Sequence, residues 1–134
     1  MNTYPAQERR KYKRIKKQFV ARFQLKDYIG TGKAVSDWEM VTTQNLGAGG
    51  VLFNYDKEIK IGSFIDMLIN FPQVKKPINC TGKVIRIDRQ SPAGLLKVAA
   101  YFLDISEKDK EIINKSAEEF YSKKEGRIEP YSQR

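Results

Sequence analysis

The chain has no histidine and one cysteine, Cys80. Without an imidazole, no Ser-His or Cys-His nucleophile pair can be assembled. One thiol and no histidine also exclude the usual zinc sites. A lone cysteine closes no internal disulfide, which fits a reducing compartment. No apolar run approaches the roughly 18 residues that a membrane-spanning helix needs. The N-terminus is charged and lacks the apolar segment of a secretory signal, so a cytoplasmic protein without membrane insertion is expected. Acidic residues are in short supply, 16 against 25 Lys and Arg. The aspartates Asp27, Asp37, Asp56, Asp66, Asp88, Asp104 and Asp109 are scattered, and no pair stands out as an acid/base couple. These absences leave a binding module rather than an enzyme.

What is present fits one folded domain. A chain of 134 residues with 40% hydrophobic content can bury its own core. The net charge of +9 suits an anionic partner or plain solubility. Its distribution is uneven: Arg9 to Lys17 holds seven Lys or Arg residues, with Tyr12 and Ile15 between them. Such a block is a solvated tail or an anion-binding arm.

Downstream, the pattern is that of short strands. Phe19, Ala21, Phe23 and Leu25 alternate with polar or smaller residues, the period-2 mark of a half-buried strand. A polar connection over 27–36 leads to strands at 38–43 and 50–55. The next segment sets Ile65, Met67, Ile69 and Phe71 against Phe64, Asp66, Leu68 and Asn70, so the first set should face the core. Strands over 78–87 and 95–103 follow, separated by a Ser91-Pro92-Ala93-Gly94 turn. After Asp104 the period changes. Ser106 and Asp109 resemble a helix cap, and Ile112, Ile113, Ala117 and Phe120 recur at helical spacing. Gly126 and Pro130 are the expected stop. The fold class is thus all-β, a six-stranded antiparallel barrel with a C-terminal α-helix. The expected organisation is an N-terminal tail over 1–8, one domain over 9–124 and a C-terminal tail over 125–134.

Two segments carry chemistry. Arg10 and Arg14 stand four apart in the basic block. Asn45-Leu46-Gly47-Ala48-Gly49-Gly50 is a glycine-rich turn between two strands. Together they resemble the RxxxR and (D/N)xSxxG signatures of the PilZ domain, the bacterial receptor module for cyclic di-GMP, with Gly47 where the family usually has serine. The resemblance extends to Gly82-Lys83-Val84-Ile85-Arg86 and to the strand over 98–104, and covers about Arg9 to Phe120. Other glycine patterns do not compete. Gly30-Thr31-Gly32-Lys33 lacks the leading glycine and following hydroxyl of a P-loop, and the Gly47–Gly50 turn opens no helix.

The resemblance implies cyclic di-GMP as ligand, with no further cofactor, and a protein partner that senses occupancy. An arginine fork satisfies the O6 and N7 acceptors of guanine bidentately, and it also pairs with phosphate. The implied ligand residues are Arg9, Arg10, Arg14, Asn45, Gly47 and Gly50, with Arg86 as a phosphate contact. Gly47 removes one hydroxyl, a loss of about 0.5–1.5 kcal/mol. Two other readings stand beside this one: a PilZ adaptor that binds protein without nucleotide, and a small basic barrel that binds nucleic acid. The last would interleave aromatics with its basic residues, and only Tyr12 is so placed. The resemblance further implies, from an arginine at the Arg9 position, two stacked ligands, whose phosphates would neutralise the self-repelling arm and order it. Amide exchange across residues 8–18 should therefore slow when cyclic di-GMP is added. Equal protection in both states would remove the arm as a switch.

Overall fold

Alternation decides which side of each strand is buried, and here the buried sides meet inside a barrel. The computed structural model describes residues 14–27, 32–72, 74–90 and 94–132. Its strands are β1 (Arg14–Ile15), β2 (Val20–Asp27), β3 (Lys33–Ala34), β4 (Glu39–Gly47), β5 (Gly50–Tyr55), β6 (Phe64–Ile69), β7 (Ile78–Gln90) and β8 (Leu95–Ile105), followed by helix α1 (Glu107–Ser132). The six longer strands run in the order β4-β5-β8-β7-β6-β2, and β2 pairs back onto β4 to close the barrel. Every pairing is antiparallel. The six-stranded barrel expected from the alternation is therefore present. Two short strands add to it: β1 on β4 and β3 on β2.

Ala21 and Phe23 on β2, Val51 and Phe53 on β5, and Val98 and Ala100 on β8 fill the interior. The expected inward set Ile65, Met67, Ile69 and Phe71 is buried throughout. Phe23 is the hub of the aromatic packing, 5.4 Å from Phe53 and edge-on to Tyr55 at 5.0 Å. Cys80 is enclosed in this core. Burial, reinforced by Asp109, Asp66 and Asp104, pushes its thiol up to about 12, so it stays a neutral, inert hydrophobe.

Helix α1 starts as its sequence suggests, with Ser106 Oγ accepting from the Asp109 amide at 3.1 Å. Ile113 and Ala117 are fully buried, while Ile112 and Phe120 are half-buried at the margin of the core. The helix packs on β1 and β4. It does not stop at Gly126 as expected but continues to Ser132. One glycine lowers helix propensity by about 1 kcal/mol, and a proline deletes one amide donor; neither forbids continuation.

Among the described residues, one buried polar side chain joins the N-terminal segment to the barrel. Thr43 on β4 has no exposed surface. Its Oγ1 accepts from the Phe19 amide at 3.0 Å and donates to the Lys17 carbonyl at 3.2 Å, while its own amide donates to the Phe19 carbonyl. Thr43→Val is isosteric but strands the buried Phe19 amide, which should cost about 1–3 kcal/mol. Urea unfolding tests this: the Val variant should unfold at lower denaturant than wild type. Thr43→Ser, which keeps the hydroxyl, should lie between them. A Val variant as stable as wild type would remove this clamp from the account.

Candidate functional site

The outer face of the barrel around β4 is built by a register change. On β4, Val41 and Thr43 face inward, and so does Leu46, a spacing of two and then three. A bulge makes this possible: Thr43 pairs with Phe53 but Asn45 pairs with Leu52, leaving Gln44 as the extra residue. Without that insertion Asn45 would point into the core. β7 repeats the device. Val84 pairs with Ala100 and Arg86 with Ala99, so Ile85 is extra and Arg86 turns outward.

The two bulges align their products. Asn45 pairs with Leu52, Leu52 with Ala99, and Ala99 with Arg86, one row across β4, β5, β8 and β7. The neighbouring row is Arg14, Gly47, Gly50, Tyr101 and Lys83, running from β1 to β7. Arg14 thus lies directly across from Gly47, the position at which the turn motif usually carries serine. Its strand partner Ile15 is buried against Leu46, which sends the Arg14 side chain to the outer face.

Several features of this face are specific. Among the described residues, Asn45 Oδ1 is shielded from water and accepts no hydrogen bond, a state it shares with Asn54 Oδ1 on β5. A buried acceptor left in this way costs about 1–3 kcal/mol until a donor reaches it. Gly50 is required by close approach: a Cβ there would lie 2.6 Å from the Ala100 carbonyl oxygen. Arg86 Nε is 3.4 Å from Asp88 Oδ2, an exposed pair of little energetic weight. Lys83 turns away from the row's centre, with Nζ 5.6 Å from the Phe64 ring centroid.

Of the residues expected from sequence, Arg14, Asn45, Gly47, Gly50 and Arg86 share this face; Arg9 and Arg10 lie outside the described residues. The turn itself is smaller than the motif suggests. β4 runs through Gly47, so only Ala48 and Gly49 connect the strands, and Asn45 and Gly47 are strand residues. Nor do the motif glycines supply a positive φ. Among the described residues, that conformation falls at Gly32, Gly62 and Gly94. Thr43, Leu52, Ala99 and Tyr101 were not singled out from sequence. The Val41-Thr43-Leu46 spacing was the signal for the first, whereas the others depend on cross-strand register.

The model of one family, described as the PilZ domain, matches residues 8–119. No curated protein matches the sequence significantly. Among solved structures, the Bacillus subtilis Inhibitor of motility (MotI/DgrA) superposes with a TM-score of 0.73 at 17% identity, over 87% of this chain and 53% of that one. The chain therefore spans about half the length of that protein. The PilZ domain of YcgR from Escherichia coli, solved with c-di-GMP, gives a TM-score of 0.61 at 12% identity, over 90% of this chain and 98% of that one. A second structure, of YcgR in complex with c-di-GMP, gives 0.60 at 17% identity, over 94% of this chain and 51% of that one. The family match over most of the chain, together with the closed six-stranded barrel and its terminal helix, assigns it: the chain belongs to the PilZ domain family.

Proposed function

We propose that this chain is a cyclic di-GMP receptor that relays ligand occupancy to a protein partner. One observation carries the reading. The strand register gathers Arg14, Asn45, Gly47 and Gly50, the described parts of both signatures, into two adjacent rows on one outer face. The related fold of YcgR, solved with c-di-GMP, supports it. In this reading the Arg14 guanidinium grips a guanine Hoogsteen edge or a phosphate, as a fork of fixed donors that lysine does not reproduce. Asn45 Oδ1, shielded and without a donor, takes a guanine N–H and loses its desolvation penalty on binding. Arg86 stands at the far end of the Asn45 row, where its charge favours the ligand's phosphates. The chain performs no chemistry; occupancy is the signal.

The route to a partner follows from packing. α1 rests on β1 and β4, the strands that bear Arg14 and Asn45. A ligand that draws β1 and the preceding arm together alters the surface beside the helix. A second reading, an adaptor that binds its partner without nucleotide, is favoured by Gly47 alone, which lacks the usual hydroxyl.

Calorimetry with cyclic di-GMP separates the two. The wild-type chain should bind, Arg10→Ala and Arg14→Ala should each abolish detectable heat, and Asn45→Ala should weaken affinity about tenfold. Gly47→Ser should tighten it by a few-fold to about tenfold. A wild-type chain that gives no heat at millimolar ligand, while Gly47→Ser binds, would establish the nucleotide-free adaptor. Full affinity in Arg14→Ala would exclude the site.

A further inference from the structure

We propose that Tyr101 is the second wall of the nucleotide site, stacking on a guanine that stands edge-down over Gly47 and Gly50 opposite Arg14. The inference rests on the receptor reading above and adds a residue that neither signature contains.

Register is its first support. Arg14, Gly47, Gly50 and Tyr101 occupy consecutive positions of one cross-strand row. Three strand spacings of about 4.8 Å put the Cα atoms of Arg14 and Tyr101 about 14 Å apart. The two residues between them carry no side chains and are themselves buried, so no side chain of the row stands between the guanidinium and the aromatic ring. A base standing edge-down in that row turns one face to Arg14 and the other to Tyr101.

Exposure is the second. Tyr101 is 40% exposed although it sits in the middle of the eleven-residue strand β8. Among the exposed large apolar residues described, it is the one that shares a row with the motif positions. Its other cross-strand neighbour, Lys83, is drawn to Phe64 and leaves the ring's outer side uncrowded. Within the next row, Leu52 and Ala99 add apolar surface beside the gap. An aromatic ring stacks on a purine without demanding hydrogen bonds, which offsets part of the contact that Gly47 lacks.

Calorimetric titration of cyclic di-GMP into wild type, Tyr101→Phe and Tyr101→Ala tests the wall. Loss of the ring should weaken binding about five- to a hundredfold, whereas Phe should stay within about threefold of wild type. Tyr101→Trp supplies an independent readout: its emission should be quenched on saturation by the stacked guanine, against the constant background of Trp38. Thermal melts check that the variants fold, and if the Ala variant does not, the Trp quenching decides. A folded Ala variant with wild-type affinity, or a Trp variant that binds without quenching, overturns the proposal and leaves the receptor reading intact. Absence of binding by wild type overturns both.

Discussion

The divided edge of β4 is the constraint on which the rest of the molecule depends. Its first half, Glu39 to Thr42, pairs with β2 and closes the barrel; its last two residues, Leu46 and Gly47, pair with β1 instead. One edge cannot serve two partners without a handover, and Thr43 supplies it. Its buried hydroxyl and amide hold the Lys17 and Phe19 backbone where the chain crosses from one partner strand to the other. Backbone groups that would be orphaned at such a crossing are satisfied by one side chain, which a buried polar residue must do to be tolerated. The seat of α1 then follows, because the helix rests on the two strands thus joined.

The bulges explain how a barrel wall becomes a binding face. A regular strand keeps every second residue inside, so a polar residue two positions from an inward one would be buried. Inserting Gln44 and Ile85 shifts the phase by one residue at each place, and Asn45 and Arg86 emerge in one row. The cost is local, since each bulge leaves an unpaired residue; for Ile85 the result is a half-exposed apolar side chain, 51% accessible. The gain is that both polar groups stand on paired strands rather than on a loop, which holds them to a fixed geometry.

Much of this was legible in the sequence, for physical reasons that also mark the limit. The alternation around Ile65, Met67, Ile69 and Phe71 and the helical spacing of Ile113 and Ala117 are local signals, and the core follows them. The strands β1 and β3 are each two residues long and owe their existence to a partner distant in sequence, so no local pattern announces them. The same holds for the extent of β4. Asn45-Leu46-Gly47 reads as a turn because of its composition, yet pairing with β1 and β5 keeps it extended. Gly50 stands in the motif for a physical reason: it yields to the close approach of the Ala100 carbonyl. Tyr101 was invisible as a site residue, since only the register across β5 brings it beside the motif.

A receptor without catalysis must convert binding into a difference between two states, and a ligand shifts that balance only by its unequal affinity for them. The geometry indicates where the inequality arises on the proposed reading. Gly47, Gly50, Asn45, Arg86 and Tyr101 stand on strands that form the closed barrel, and bulges or continuous pairing hold them in place. Arg14 stands on a strand of two residues, attached by its pairing with Leu46 and Gly47 and, just after it, by Thr43. Of the strands around the face this is the shortest, and in sequence it follows the basic block directly. On the proposed reading, ligand charge meets Arg14 on this short strand. Because β1 also lies against α1, that contact is expressed at the helix. The asymmetry lies between the closed barrel and the two-residue strand beside it, and on the proposed reading it directs the work of binding toward β1 and α1 rather than into the core.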